Sequence, residues 1–465
     1  MSGVEADFAG QPARRSSSGW KELWLKEDWW AIWLGLGIVL IGLVLFRYGS
    51  SWRWVAVTPV RWTGFAQLGA HFADNWPRYL VQFALWAAGF SLALRAMGRR
   101  PREFLPAFTF VFVLSLVVFV VGQWERANFY GFEAPLVALI FGLGLANLVG
   151  LPRWLDAGFR VELYIKTAIV LLGATVPFTL IVWAGPVAIV QASIVSLVTF
   201  GVIYFVATRL GLDRRLAATL GVGGAVCGVS AAIAISGAVG GKKEDAPIAI
   251  TLVLIWAIAM IFILPFIAHQ LQLSAGVGGA WIGTSEFADA AGIAAAQTYA
   301  GLVSGTGAVS GTSDQAVLAF TLMKVVGRDV WIGIWAFALA FVATTRWETG
   351  LGRKANAAEI WWRFPKFVIG FFIASLLVTA VTADYALADF NKSVNPVLVA
   401  PIKDLRSWAF IFCFLSIGLT TRFRELAAAG TKPFLAFTSG VIVNVVLGFL
   451  LSAVVFASYW TNLAP

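Results

Sequence analysis

Long apolar runs follow one another along nearly the whole chain. Each of the longer runs has about the 20 residues that a helix needs to cross ~30 Å of hydrocarbon. The runs lie near residues 29–46, 79–98, 104–122, 132–150, 163–184, 187–209, 246–268, 329–347, 364–384, 407–421 and 433–459. Their length and spacing predict an all-α fold, a polytopic transmembrane helical bundle.

Two further segments have the length of a membrane helix but an unusual composition. Residues 215–240 and 277–300 are rich in glycine, alanine and small polar side chains where leucine and isoleucine would be expected. Such segments predict discontinuous helices, which build polar binding sites at membrane depth in transporters. If both segments cross, the chain has about thirteen membrane segments, and if both dip and return it has about eleven. The pattern leaves both possibilities open.

Composition agrees with a membrane protein and argues against other classes. In 465 residues the apolar fraction is 60% and the charged fraction 12%, and the mean hydropathy is +0.83. The net charge of +10 comes from bases in short loops, which orient helices and do not indicate nucleic-acid binding. Cys227 and Cys413 lie inside apolar runs, so we expect no disulfide framework. His71 and His269 show no metal-ligand pattern, and we expect neither an enzyme nor a resident metal or cofactor.

The distribution of lysine and arginine predicts orientation and organisation. If the runs alternate in direction, the basic clusters fall on one side of the membrane, which we assign to the cytoplasm. Residues 1–28 then form a cytoplasmic N-terminal segment without a removable signal peptide. Residues 29–78 form the first transmembrane helix and an external loop, and residues 79–460 form a transporter core.

A weak internal repeat supports this architecture. Residues 172–178 align with residues 417–423 and share glycine, threonine and phenylalanine at the same offsets. By the charge rule the first copy runs outward and the second inward, as an inverted repeat requires. Three shared positions in seven also arise by chance in so biased a composition.

The first small-residue segment carries candidate anion ligands. Gly223, Gly224 and Gly228 remove side chains and permit the backbone angles that break a helix. The N–H groups that begin a half-helix at such a break favour an anion. Cys227 and Ser230 can add side-chain contacts. The alternative is a continuous, closely packed helix, because small residues also serve helix–helix contact in membranes.

The second small-residue segment carries candidate residues for ion coupling. Glu286, Asp289 and Gln297 fall on one face at helical spacing, after Thr284 and Ser285. Acids at membrane depth usually face a cavity, where they relay protons or pair with a base. Carboxylate oxygens also suit sodium. The alternative is a solvated face at the membrane surface.

The remaining polar residues in apolar surroundings have open roles. Lys324 and Arg328 can compensate the buried acids, or they can extend to lipid headgroups. Asn147 and Asn444 are expected to form hydrogen bonds between helices. Lys166 is expected to do the same, although its positive charge can also face an anion.

These elements, in this order, resemble the sulfate exporter family, whose bacterial inner-membrane members are uncharacterised. The resemblance covers roughly residues 80 to 459, and its most specific part is the Cys-Gly-x-Ser-Ala element that begins at Cys227. The other matching stretches are residues 142–147, 166–173, 210–214 and 223–231, the Gly-Thr pair at 283–284, and the Lys324/Arg328 pair.

Membership would imply a multi-pass transporter of the bacterial inner membrane, commonly a homodimer. The implied fold is similar to that of sodium/proton antiporters and bile-acid symporters, in which two broken helices cross near the midplane. The chain departs from the family pattern at Ser285 and Glu286, because many relatives carry a histidine soon after the Gly-Thr pair. Residues 301–315 also resemble an insertion.

Together these features predict a secondary transporter of a small anion, sulfate-like or an organosulfonate, coupled to protons or sodium. The expected site lies between the break near Gly228 and the face of Glu286 and Asp289, with further substrate contacts from Thr284, Ser285 and Lys324. An anion channel and a transport-inactive membrane sensor or scaffold are the alternatives.

Overall fold

The structure is a computed structural model that describes residues 22–463, except for 130–133, 150, 177, 243, 307–308, 348–365, 386–388 and 423–429. The described residues are helical almost throughout and form no β-strand. The first eight helices are α1 (Glu22–Leu25), α2 (Glu27–Arg47), α3 (Phe65–Ala96), α4 (Pro101–Gly122), α5 (Glu125–Phe129), α6 (Ala134–Gly144), α7 (Val161–Gly173) and α8 (Phe178–Arg209). Short 3-10 or π-helical turns occupy Trp52–Trp54, Leu145–Val149 and Arg153–Gly158.

The helices that follow are shorter and more often interrupted. They are α9 (Arg214–Ala225), α10 (Val229–Ala238), α11 (Asp245–Gln270), α12 (Ala275–Ser285), α13 (Asp289–Thr306), α14 (Ser313–Thr321), α15 (Trp331–Val342), α16 (Lys366–Thr382), α17 (Ala400–Thr420), α18 (Thr431–Leu450) and α19 (Ala457–Thr461). π-Helical turns occupy Leu322–Arg328, Ala343–Trp347, Phe390–Val399 and Leu451–Val455.

Six helices in the described part of the chain are long and apolar enough to cross a membrane. These are Glu27–Arg47, Phe65–Ala96, Pro101–Gly122, Gly185–Arg209, Asp245–Gln270 and Thr431–Val455. Shorter apolar helices include Ala134–Val149 and Lys366–Thr382. The prediction of a polytopic helical membrane protein is therefore confirmed.

The start of α3 differs from the predicted boundary. The helix begins at Phe65, inside the stretch that hydropathy assigns to an external loop. Its first turns are too polar to register as an apolar run, yet they continue as a helix through Pro77. Hydropathy therefore places the apolar run correctly and misses the polar turns that precede it.

Contacts divide the chain into two compact units. Unit 1 comprises Met1–Leu180 with Lys366–Arg422, and unit 2 comprises Ile181–Pro365 with Phe423–Pro465. In unit 1, α17 packs against α6 and α7, and α2 packs against α7 and α16. Trp408 of α17 stacks on Phe112, with ring centroids 4.8 Å apart, and Phe119 lies 4.7 Å away. Aromatic side chains therefore form much of the core of unit 1.

Two polar residues singled out in the sequence, Lys166 and Asn147, lie in unit 1. Lys166 Nζ lies 2.7 Å from Asp28 Oδ1 and 3.2 Å from a Glu162 carboxylate oxygen. Its charge is thus paired with acids. Asn147 Nδ2 donates to Thr421 O at 2.9 Å, as expected for a hydrogen bond between helices.

The two proposed repeat stretches begin near the ends of α7 and α17, and their residues 177 and 423 lie outside the described residues.

Glycines set the close contact between α6 and α17 in unit 1. A Cβ at Gly142 would lie 2.8 Å from the Cα of Gly418, whereas a Cβ at Gly144 would meet nothing within 4 Å. We expect Gly142→Ala to destabilise the fold by about 1–3 kcal/mol through overpacking. Gly144→Ala should leave stability unchanged or raise it by about 0.5–1 kcal/mol. Chemical unfolding in detergent measures both changes, and equal effects would contradict the observed helix contact.

Candidate functional site

The first small-residue segment folds as a helical hairpin in unit 2. Helix α9 ends at Ala225 and α10 begins at Val229, so the helix breaks at residues 226–228, as the glycines predict. Arg215, near the start of α9, donates from Nη1 to Gly240 O just beyond the end of α10, at 2.8 Å. The chain therefore returns towards the end at which it started. We call residues 226–228 tip A.

The second small-residue segment is also a hairpin in unit 2. Helix α12 ends at Ser285 and α13 begins at Asp289. Tyr299 of α13 donates its hydroxyl to Leu273 O, just before α12. Its ring packs on Gly278, where a Cβ would lie 2.2 Å from Tyr299 Cε1. We call residues 286–288 tip B.

The two hairpins show whether the chain continues past each break or turns back. The 12 residues of α9 span only about 18 Å at 1.5 Å per residue, well short of the ~30 Å hydrocarbon core. In both segments the chain turns back at the break. The crossing of two broken helices that the family resemblance implies is therefore not formed by these segments.

The tips of the two hairpins touch each other. Gly228 has φ +78°, a backbone conformation that residues with a side chain rarely adopt. A Cβ at Gly228 would lie 2.5 Å from Phe287 O in tip B. Only glycine satisfies both the backbone angle and the close approach, so this residue fixes the contact between the tips.

A third element carries two cations to the tips. Helix α14 and the π-helical turn after it lie close against α12 because glycines of α12 face them. A Cβ at Gly279 would lie 2.1 Å from Ala316 O of α14, and one at Gly283 would lie 2.7 Å from Met323 Cβ of the turn. The π-helical turn Leu322–Arg328 continues α14 and brings both of its basic side chains to the tips. Both side chains are fully buried (0% exposed).

Lys324 links the two tips through backbone carbonyls. Its Nζ donates to Val226 O of tip A at 3.1 Å and to Glu286 O of tip B at 2.8 Å. One ammonium group therefore contacts both hairpins.

Arg328 adds a second link between the hairpins. Its Nη1 donates to Thr284 O at 2.6 Å and to Glu286 O at 3.0 Å. Its Nη2 donates to Gly224 O at 3.3 Å. These carbonyls lie at the C-terminal ends of α9 and α12, where the helix dipole is negative and a cation is stabilising. Both bases thus compensate buried charge and do not extend to lipid headgroups.

Acidic side chains lie beside these cations. Asp289 Oδ1 is 3.7 Å from Lys324 Nζ, and the Asp289 side chain is 17% exposed. Asp329, directly after Arg328, is fully buried. Cys227 Sγ and one carboxylate oxygen from each aspartate lie within 4.8 Å of one another, a donor set able to hold a metal ion. The sequence analysis missed Asp329, although its position beside Arg328 was the available signal.

Several buried polar atoms at the tips have no hydrogen-bond partner among the residues that the structure describes. The donors are Ser285 Oγ and Arg328 Nε. The acceptors are Glu286 Oε2 and both carboxylate oxygens of Asp329. Buried polar groups are normally satisfied, and exceptions call for an explanation such as a ligand or an ion.

The structure places most of the predicted site residues at the two tips. Gly223, Gly224, Cys227 and Gly228 lie at or next to tip A; Thr284, Ser285, Glu286 and Asp289 lie at or next to tip B; and Lys324 touches both tips. The backbone of Ser230 belongs to α10, and its side chain lies outside the described residues.

Two expectations about the second segment need correction. Glu286 does not share a helical face with Asp289, because the helix breaks between them. Gln297 lies on α13 about two turns beyond Asp289, away from the break. Elsewhere in unit 2, Asn444 Nδ2 donates to Thr199 Oγ1 at 3.1 Å, which confirms its expected role between helices.

Comparison with known proteins places the chain in a family. The family described as conserved hypothetical protein 698 matches residues 106–437. The chain belongs to this family. A UPF0324 membrane protein of Nitratidesulfovibrio vulgaris is 32% identical over 83% of the chain, and the chain spans 65% of that relative's length. That relative is therefore longer than this chain.

Two other relatives carry the same description. The UPF0324 membrane protein of Rhodopirellula baltica is 31% identical over 89% of the chain and 74% of its own length. That of Nitrosomonas europaea is 29% identical over 88% of the chain and 91% of its own length. No solved structure matches the chain. Together with the six long apolar helices, these relatives support a multi-pass membrane protein, and their names include no substrate.

Proposed function

We propose that this member of the conserved hypothetical protein 698 family is a secondary transporter of a small anion, bound at the tips of the two hairpins. The observation that carries the proposal is the meeting of the tips around two buried cations, Lys324 and Arg328. Interrupted helices are a common way to build a binding site at membrane depth, and a packed structural bundle would not need buried charges there.

The polarity of the tips supports an anion as the substrate. Helices α10 and α13 begin at the tips, and the N-terminal end of a helix favours negative charge. The buried donors Ser285 Oγ and Arg328 Nε are without partners in the described part of the chain. An oxyanion can accept from both kinds of donor. The choice of a sulfate-like or sulfonated anion rests on the family resemblance.

Ion coupling follows from the acids at the same tips. Asp289 lies beside Lys324 and is partly exposed, so it can exchange a proton or a sodium ion with water. Acids at membrane depth commonly serve such relays. A carrier whose anion and coupling ion bind at adjoining groups fits secondary transport better than an open channel.

Ligand-induced stabilisation tests the binding site. A ligand held only by the folded state stabilises it, by about 2.7 kcal/mol at a concentration of one hundred times Kd. We expect sulfate, sulfite, thiosulfate or taurine to raise the thermal midpoint of the purified protein selectively. Ser285→Ala should remove that shift, because it deletes a buried donor at tip B.

Ser416→Ala is the matched control for this experiment. Ser416 is a fully buried serine of unit 1 whose hydroxyl also has no partner among the described residues. This variant should keep the anion shift of the parent protein. An equal shift in Ser285→Ala, or no shift with any of these anions, would contradict the proposed site.

A further inference from the structure

We infer that Cys227, Asp289 and Asp329 form a binding site for a divalent cation that accepts thiolate and carboxylate ligands, such as zinc. The three side chains come from tip A, from the start of α13, and from the turn after the π-helical segment. The site goes beyond the proposed anion transport, and its existence does not depend on that proposal.

The geometry brings the three donor atoms within reach of one ion. Cys227 Sγ and an oxygen from each aspartate lie within 4.8 Å of one another. Zinc bonds are about 2.3 Å to sulfur and 2.0–2.2 Å to oxygen, so tetrahedral donor atoms are about 3.5 Å apart. The donor atoms would need to approach one another by at most about 1.3 Å, which small side-chain rotations allow.

An independent observation points to a cation at Asp329. Asp329 is fully buried, and neither of its carboxylate oxygens accepts a hydrogen bond from a donor group among the described residues. Its side-chain neighbour is the Asp289 carboxylate, itself an acceptor when ionised. Two adjacent carboxylates repel each other, and a cation between Asp329 and Asp289 would satisfy these oxygens. Arg328 does not fill this role, because its Nη groups point to the carbonyls of both hairpins.

The charges around the site balance when a divalent ion is bound. The Cys227 thiolate and the two aspartates carry three negative charges, which the ion and the neighbouring Lys324 ammonium offset. The remaining acid, Glu286, is offset by Arg328. Neutrality of this kind matters in a low-dielectric interior, so Lys324 at 3.7 Å from Asp289 is compatible with the bound ion.

The donor set also indicates which class of ion would bind and from which side the ion could enter. One thiolate with two carboxylates suits a borderline metal such as zinc better than calcium or magnesium, which prefer oxygen ligands. Three protein ligands leave a fourth position open, which in zinc sites of this kind is taken by water or a substrate. The partly exposed Asp289 carboxylate provides the side from which an ion can enter.

Cobalt(II) is a spectroscopic probe for this site. A thiolate bound to cobalt gives a ligand-to-metal charge-transfer absorption that carboxylates alone do not give. We expect the purified full chain in detergent to show this band on titration with cobalt, and zinc to abolish it by competition. Cys227→Ser should lose the band completely, and Asp329→Asn should weaken cobalt binding at least tenfold.

Cys413→Ser supplies the matched control. The chain has two cysteines, both free and buried, and Cys413 lies on α17 of unit 1. This variant should keep the band at full strength. Circular dichroism and size-exclusion chromatography establish that each variant is folded before titration.

The outcomes separate this site from the proposed anion site. Absence of the band in the folded parent, its persistence in Cys227→Ser, or its loss in Cys413→Ser would overturn the metal site. Anion-induced stabilisation is measured separately in the presence of a chelator. If sulfate stabilises the protein in the presence of the chelator and no cobalt band appears when cobalt is added without chelator, the proposed function stands and the metal site is overturned.

Discussion

Arg328→Met is expected to lower the free energy of unfolding by about 3–5 kcal/mol, the range for removing one partner of a buried charged network. The substitution leaves the carbonyls of Gly224, Thr284 and Glu286 without their shared donor. It also removes the positive charge that faces the negative ends of two helices. Chemical unfolding in detergent micelles measures the loss.

Arg209→Met controls for the loss of an arginine as such. Arg209 ends α8, is exposed, and lies over the Phe205 ring with its Cζ 4.7 Å from the ring centroid. We expect its replacement to cost about 1 kcal/mol or less. Equal losses in the two variants would show that Arg328 does not hold the hairpins together.

Gly228→Ala is the second substitution with a large expected effect. The backbone at this residue has φ +78°, and a Cβ would lie 2.5 Å from Phe287 O. Strain in such a conformation costs about 1–3 kcal/mol, and overpacking adds about 1–3 kcal/mol. We therefore expect a loss of about 2–6 kcal/mol in stability, with separation of the two tips and loss of anion binding.

Two other glycines of the chain separate the two causes. Gly430 also has a positive φ of +83°, but a Cβ there would meet its nearest neighbour only at 3.7 Å, so Gly430→Ala reports strain alone. Gly223 lies within α9 with room for a Cβ at 3.6 Å from Val253, so Gly223→Ala reports neither effect. If Gly228→Ala binds the anion as well as Gly430→Ala does, the contact between the two tips is not needed for anion binding.

The sequence predicted two discontinuous segments because glycine and other small residues stand where leucine and isoleucine are expected, over residues 215–240 and 277–300. Gly228 marks the first break, where α10 begins. The position of the second break, after Ser285, was not predicted, because Glu286 and Asp289 were expected on one helical face. The hairpin geometry could not be predicted in the same way. Whether a broken helix continues or returns depends on tertiary contacts such as Arg215 to Gly240 O, between residues far apart in the chain.

The roles of charged residues were harder to predict than their positions. Lys166 has an apolar sequence context, yet it pairs with Asp28 from a distant helix. Asp329 directly follows a basic residue at the start of the apolar run 329–347, a position typical of a solvated helix end, yet it is fully buried. A single sequence does not reveal which distant side chains surround a charge, so burial and pairing emerge only from the fold.

Uptake of radiolabelled sulfate, sulfite and taurine into proteoliposomes tests the central claim most directly. Secondary transport of a small anion at the hairpin tips predicts uptake of at least one of these anions that saturates with concentration. It also predicts that uptake falls at least tenfold in Ser285→Ala and is unchanged in Ser416→Ala. Uptake no greater than in empty liposomes, or equal uptake in both serine variants, would contradict it.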